Sequence, residues 1–328
     1  MENHNYIKIY ETERIKINKI LSDALKQRNP ASLYKPGSYI LNSGGKRLRP
    51  LLVLLSAKAA GGNFSDAYNA AAAVEMLHNF TLVHDDIMDN ADKRRGRLTL
   101  HKKYDNNTAI LTGDSLLSIA YEYLLKDCNG NAKAVIGSFT HGLIEVCEGQ
   151  SLDTDFESRK NVTLSEYILM IKKKTAAMAE MCCKIGALLG GGNKTQVNAL
   201  GNFGLNLGIA FQIQDDLLDI SAEESNLGKR IGGDLLEGKK TYLFIKALEK
   251  STGEDRKSLQ KVIINKGIRV NQINKFRKLY DELGVIEDAK TAINLYTGRA
   301  LQSLYIIKKE EDRKILIWFA DNLVKRKK

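Results

Sequence analysis

Asp85, Asp86 and Asp89 close an apolar run, Leu82-Val83-His84-Asp85-Asp86-Ile87-Met88-Asp89, and Asn90-Ala91-Asp92-Lys93-Arg94-Arg95-Gly96 follows at once. On a helix Asp85 and Asp89 share a face one turn apart, with Asp86 beside them. Three carboxylates so close repel one another and are costly to dehydrate without partners. A hard divalent cation relieves both problems. Mg²⁺ suits a site in which substrate phosphates complete the octahedron, with Mn²⁺ as a substitute. One such set reads equally as an exposed acidic helix end. The spacing recurs, however, in Asp215-Asp216-Leu217-Leu218-Asp219, again after an apolar run that includes Leu207, Ile209, Phe211 and Ile213. Six carboxylates facing one another across a helical bundle could hold a cluster of Mg²⁺ ions around a diphosphate.

Other stretches supply positive charge. Asn42-Ser43-Gly44-Gly45-Lys46-Arg47-Leu48-Arg49-Pro50 puts three cations after two glycines. Pro50 is placed at the first position of a helix from Leu51 to about Ala60, and a helix N-terminus with nearby cations favours phosphate. In Lys172-Lys173-Lys174-Thr175 three consecutive lysines cannot all face one site. Gly228 to Thr241 is a glycine-broken cationic stretch. Its Gly233 to Lys239 fits the spacing of a nucleotide-binding P-loop, but position 240 is Lys and no strand precedes it, so that reading fails. Glu145, Glu148, Gln150 and Asp153 read as a solvated acidic helix end. His78, two turns below Asp85, reads as a packed, hydrogen-bonded residue or as a ligand. No His/Cys metal cluster and no Ser-His-Asp ordering occurs.

The elements that must position these groups are helices. Apolar residues recur at helical spacing and strand-like alternation is scarce. All three prolines lie at or before residue 50. Residues 5–28 are expected as an amphipathic helix with Ile7, Ile15, Ile20, Leu21 and Leu25 inside, ended by Asn29-Pro30. Ala67 to Asp89 is expected as one long helix, and Ala109 to Leu125 and Lys133 to Gln150 as two more, with Gly113-Asp114 a polar interruption. Ala176 to Leu189 is another, stopped by Gly190-Gly191-Gly192. Gly201, Gly204 and Gly208 allow close helix approach beneath the second aspartate set. The fold class is all-α: a single domain over residues 1–328, a bundle of long antiparallel helices around a central cavity.

With 43% apolar and 27% charged residues, the 328-residue chain has the balance of a soluble globular protein. The net charge of +11 raises nucleic acid as a partner, but the cations are scattered and aromatics reach only 7%, with no stacking platform among them. Nucleic acid is therefore set aside; a phosphorylated substrate or an anionic membrane suits the charge equally. Four cysteines without a Cys-x-x-Cys pair read as reduced thiols. With no apolar run near 18 residues and a polar N-terminus, a cytoplasmic protein without a membrane span is expected.

Together these motifs resemble the trans-isoprenyl diphosphate synthases over roughly residues 40–245. Gly44 to Pro50 matches the family's first substrate-binding motif. Asp85-Asp86-x-x-Asp89 with Arg94-Arg95-Gly96 matches its first aspartate-rich motif, and Gln212 to Asp219 its second. Lys229 and Lys239 fall where the family carries a lysine-bearing loop. The resemblance implies a prenyltransferase that condenses isopentenyl diphosphate with an allylic diphosphate and acts as a homodimer. It implies that Lys46, Arg49, His78 and Arg95 hold isopentenyl diphosphate. Asp85, Asp86, Asp89 and Asp215 would bind Mg²⁺ on the allylic diphosphate, with Asp216 and Asp219 in support. Arg94, Lys174, Lys229 and Lys239 would touch that diphosphate, and Thr175 and Gln212 the reacting carbons. The chain departs from the family in Leu98-Thr99, where Pro-Thr is frequent.

A growing chain would run from the Asp85 level past Thr81, Leu77 and Val74, about one, two and three turns down at ~5.4 Å per turn. Phe80 flanks that row. An aromatic there, without an insertion in the aspartate motif, resembles the archaeal short-chain type and implies a C20 product, with C15 next and C25 after it. Two rivals share the chemistry or the fold. A class I terpene cyclase would lack the Gly-Gly-Lys-Arg-Leu-Arg-Pro element. A non-catalytic partner subunit would tend to lose aspartates, and all six are present.

Overall fold

The computed structural model describes residues 2–221 and 232–324. Its contacts divide into two units. The first comprises residues 1–140, 181–200 and 307–315, the second residues 141–180, 201–306 and 316–328. Among the described residues the only strands are a two-residue pair, so the all-α expectation holds.

The first unit contains α1 (Glu2–Asp23), α2 (Ala31–Leu41), α3 (Leu48–Ala60), α4 (Tyr68–Met88), α5 (Leu100–Lys103) and α6 (Asn106–Lys126). Its core helix is α4. Ala70, Ala71, Ala72 and Ala73, the best helix formers, open it and are completely buried. Small residues then bring other backbones close. A Cβ on Gly186 would lie 2.2 Å from the Val53 carbonyl oxygen, and one on Gly190 2.1 Å from that of Ala57. The expected helix over residues 5–28 ends sooner, at Asp23, and its inner stripe differs. Ile7 and Ile15 are half exposed or more, whereas Glu13, Ile17, Leu21 and Leu25 are buried. The true stripe is the i, i+4, i+8, i+12 row, which tolerates Glu13 because its carboxylate accepts hydrogen bonds from Tyr68 and Lys16. Pro50 is the third residue of α3 rather than the first, still within the turn whose N–H groups need no helical acceptor.

In the second unit, α7 (Ala132–Ser158) runs past Gln150 from its start in the first, so the four acidic-end residues lie mid-helix. Next come α8 (Leu164–Ile171), α9 (Ala177–Leu189), most of which from Met181 on belongs to the first unit, and α10 (Lys194–Ser221), which belongs to the second from Gly201 on. Thr163 and Glu166 form a reciprocal cap at the start of α8. A π-helical turn, Lys172–Ala176, joins α8 to α9, where a plain helix start is expected from sequence. The remaining helices of this stretch include a single turn at Gly233–Leu236 and longer segments at Tyr242–Lys250, Gly253–Ile264, Ile273–Glu282 and Val285–Ser303. No helix among the described residues is long and apolar enough to cross a membrane.

Candidate active site

The first unit assembles a cationic pocket beside an acidic helix end. After α4, Lys93–Arg94 and Arg97–Leu98 pair antiparallel as β1 and β2, with Arg94 opposite Arg97. Arg95 and Gly96 form the two-residue turn, both at positive φ (51° and 74°), as the tight hairpin twist demands. Within the aspartate set the three carboxylates separate. Asp86 is only 2% exposed and accepts a 2.7 Å hydrogen bond from Arg94 Nε. Burial raises its pKa while Arg94 opposes. Asp85 is half-buried and Asp89 exposed, one turn apart on one face.

The Gly44–Pro50 stretch divides in the same way. Arg47 turns inward: its guanidinium binds Glu75 at 2.6 Å, the Leu41 carbonyl at 2.7 Å and Asn18 at 2.8 Å. The side chains of Arg47 and Glu75 are 1% and 3% exposed. Lys46 is exposed and Arg49 half-buried. Arg49 Nη1 lies 3.1 Å from His78 Nε2. Arginine only donates, so that nitrogen accepts and the imidazole proton sits on Nδ1. Burial, then Arg49, Arg95, Arg94 and Arg47, hold the His78 pKa well below the usual histidine range. Arg95 donates to the Gly44 carbonyl at 2.5 Å, and a Cβ on Gly45 would lie 2.9 Å from the same guanidinium nitrogen. Several arginines thus surround a neutral histidine with one buried carboxylate, Glu75, among them, which is chemistry for an anion. Along α4, Val74 and Leu77 are completely buried, while Phe80 and Thr81 are half-buried. Phe80 packs on His84 with ring centroids 4.6 Å apart, beside Gly113 of α6.

The second unit builds a network on Asp216, which is 6% exposed. Tyr167 Oη donates a short hydrogen bond to it, the Tyr242 amide donates at 3.0 Å and Gln212 Nε2 at 3.2 Å. Burial pushes its pKa up to about 6, against the pull of these donors. Thr175 Oγ1 donates to Gln212 Oε1 at 3.0 Å, so Thr175, Gln212 and Asp216 form one chain. Asp215 and Asp219 are half-buried. The Asp234 amide donates to Asp219 Oδ2 at 3.1 Å, and the Gly232 amide to the Asp219 carbonyl at 2.7 Å. Burial, then Asp216 and Asp219, push the Asp234 pKa up to about 8. In both aspartate sets, therefore, the middle residue is anchored inward and the outer two stand a turn apart.

The π turn presents two lysines to α7. Lys173 binds Glu145 at 2.9 Å and Glu148 at 2.6 Å, and Lys174 binds Asp153 at 2.5 Å. The reading of these acids as a solvated face is thus corrected for Glu145 and Asp153, which are half-buried and neutralised by neighbouring lysines, and holds for Glu148, which is exposed although it too meets Lys173. Gly149 lets the π turn approach: a Cβ there would lie 2.1 Å from the Lys174 amide nitrogen. Gly208 does the same against Ala176, at 2.6 Å from its Cα. Lys239 pairs with Glu237 at 2.8 Å. Lys229 lies outside the described residues. Sequence reasoning missed Tyr167 and Asp234 and took Asp153 for part of a solvated face. Asp234 was open to detection, since it sits in a Gly-Gly-Asp run beside Lys239.

Among the described residues no three acidic, His or Cys side chains converge on one point. Each set nonetheless carries hard carboxylate oxygen donors one helical turn apart on one face, a donor chemistry that suits a hard divalent cation shared with phosphate.

A helical chain with two such aspartate sets and a cationic pocket has the parts of an enzyme that acts on diphosphates, and similarity to known proteins identifies the family. The polyprenyl synthetase family model matches residues 30–283. The chain belongs to that family. The geranylgeranyl diphosphate synthase of Methanosarcina mazei is 39% identical over 313 residues, 94% of each chain. The crystal structure of geranylgeranyl pyrophosphate synthetase from Pyrococcus horikoshii superposes with a TM-score of 0.91 at 34% identity, covering 98% of this chain and 99% of that one. A polyprenyl synthase from Caulobacter crescentus, complexed with calcium and isoprenyl diphosphate, gives 0.90 at 27% identity, covering 99% and 98%.

Proposed function

We propose that this chain is a Mg²⁺-dependent trans-prenyltransferase. It joins isopentenyl diphosphate head-to-tail to dimethylallyl, geranyl or farnesyl diphosphate, releases diphosphate, and stops at C20 geranylgeranyl diphosphate. The observation that carries this reading is the repeated aspartate set, each with its middle carboxylate buried and anchored and its outer pair one helical turn apart on one face. The similarity to geranylgeranyl diphosphate synthases supports the product.

In this reading Lys46, Arg49 and Arg95 bind the diphosphate of isopentenyl diphosphate. His78 serves by accepting from Arg49 and fixing its guanidinium. Asp85 and Asp89 of one set and Asp215 and Asp219 of the other would supply oxygen ligands to Mg²⁺, and Asp86 and Asp216 hold their own sets in place. The bound Mg²⁺ supplies charge stabilisation to the leaving diphosphate. Lys174, Lys239 and Arg94 add positive charge to it, and Lys229 joins them by family position. Thr175 and Gln212 present oxygen dipoles to the allylic cation, which apolar walls shield from water. The acceptor alkene attacks, and the proton then lost goes to the released diphosphate, so no side-chain nucleophile is needed. Residues 1–328 act as one synthase domain, as the family match running through both units supports. The active species is a cytoplasmic homodimer, and light scattering at micromolar concentration tests its mass.

The deciding experiment incubates the protein with labelled isopentenyl diphosphate and farnesyl diphosphate, with Mg²⁺ or with EDTA. A C20 diphosphate formed only with metal is expected. Cyclised hydrocarbon would mark a terpene cyclase, and no product with metal an inert partner subunit.

A further inference from the structure

The cations are scattered along the chain, but in one stretch no acid balances them. From Arg256 to Tyr280 the sequence holds eight lysines and arginines and no aspartate or glutamate, within a whole-chain net charge of +11. All eight are exposed, and the stretch lies within the second unit. Two of them reach carboxylates beyond the stretch, Lys257 to Glu254 and Lys278 to Glu282. Lys261, Lys266, Arg269 and Lys275 form no ion pair among the described residues.

The same stretch exposes apolar side chains. Ile264 is 76% exposed and Val270 61%, on either side of the turn that links helices Gly253–Ile264 and Ile273–Glu282. Lys257, Lys261 and Ile264 follow one helical stripe at i, i+4 and i+7, while Leu259 and Val262 are buried. The turn is firmly backed. Lys266 and Gly267 take positive φ, Gly267 sits where a Cβ would lie 2.0 Å from the Leu236 carbonyl oxygen, and the Ile268 amide donates to the Leu235 carbonyl at 3.2 Å. Ile264 and Val270 are thus held outward by a braced turn, among cations that lack counter-ions.

We infer that this face is a docking surface for an anionic lipid bilayer. Clustered cations draw it to negative headgroups, and two aliphatic side chains enter the headgroup–acyl boundary. Nucleic acid fits less well, because the aromatics of the stretch, Phe276 and Tyr280, are 3% and 2% exposed and offer no ring for base stacking. The braced turn packs on Gly233–Leu236, just before Lys239, so docking brings the lysine-bearing side of this unit to the membrane surface.

The test is co-sedimentation of the full chain with vesicles of phosphatidylcholine alone or with about 30% phosphatidylserine, an anionic surface. The protein should bind the anionic vesicles only and be released as salt rises. Replacing Lys261, Lys266, Arg269 and Lys275 by Gln should weaken binding about fivefold per residue, several hundredfold in all. Ile264→Ser with Val270→Ser should weaken it at least tenfold with the cations intact. None of these residues belongs to the diphosphate machinery, so turnover of soluble substrates and far-UV circular dichroism report that each variant is folded. Failure of the wild type to bind anionic vesicles would overturn the inference. So would wild-type binding by the four-Gln variant, whose basic Lys325–Lys328 run is intact, or by the serine pair. A short nucleic-acid duplex that binds this face more tightly than the vesicles would also overturn it.

Discussion

Gly149→Ala is a small substitution with a large expected effect. The new Cβ would lie 2.1 Å from the Lys174 amide nitrogen and 2.5 Å from its Cα. Ordinary contact begins near 3.4 Å, so α7 and the π turn must part by about 1.3 Å. The obstacle is backbone, which no rotamer change clears. Overpacking of this kind costs about 1–3 kcal/mol. The larger consequence is catalytic. Lys174 and Thr175 ride on the π turn, and a displacement of ~1 Å at a reacting site can lower turnover about 10²-fold. Gly137, on the same helix, is the control: nothing lies within 4 Å of its added Cβ. Gly137→Ala should leave turnover unchanged and stabilise by about 0.5–1 kcal/mol through helix propensity. The assay is kcat with saturating isopentenyl and farnesyl diphosphates, paired with urea unfolding of each variant. A Gly149→Ala enzyme with wild-type kcat and stability would refute the argument that this contact sets the position of Lys174.

Three further outcomes are expected. Arg49→Ala should mainly raise KM for isopentenyl diphosphate, whereas Asp85→Ala should lower kcat steeply; identical kinetic signatures would show the assignment of sides to be wrong. His78 is held neutral in the fold, with its pKa below that of the unfolded chain. As pH falls through about 6.5 the unfolded chain takes up a proton that the fold refuses, so stability declines until the folded pKa is reached. His78→Asn keeps an acceptor for Arg49 and should flatten that decline in Tm, and equal slopes would dismiss the account. Phe80→Ala should shift products beyond C20 at a cost of up to ~3–5 kcal/mol in stability, read by product chromatography; an unchanged distribution from a folded enzyme means another residue sets the length.

The helical class and the two aspartate sets were legible because both rest on local periodicity. A 3.6-residue repeat fixes which aspartates share a face. What periodicity does not carry is partner choice. That Asp86 turns inward depends on Arg94 across a hairpin, and that Asp216 does so depends on Tyr167 and Tyr242, distant in sequence. Among three adjacent cations, Arg47 is buried because Glu75 and the Leu41 carbonyl await it, a fact residing in α4 and α2 rather than in the loop. The acids of α7 looked solvated because their lysine partners lie on another element, and the π turn that delivers those lysines has no sequence signature of its own. The stripe of α1 was misread because isoleucine outweighed glutamate in the pattern, although Glu13 has its own buried partners.

The π turn at Lys172–Ala176 amounts to one residue more than a continuous helix from α8 to α9 requires. Deleting a residue there would let the helix close with the downstream side chains in nearly the same directions, because the bulge already absorbs the extra residue. Met181, Cys182 and Ile185 would stay buried, whereas a deletion further along α9, with no bulge to absorb it, would rotate the residues beyond it by about 100° relative to the core. The segment therefore absorbs a change of one residue in packing but not in placement, since closing the bulge would draw Lys173 and Lys174 away from Glu145, Glu148 and Asp153.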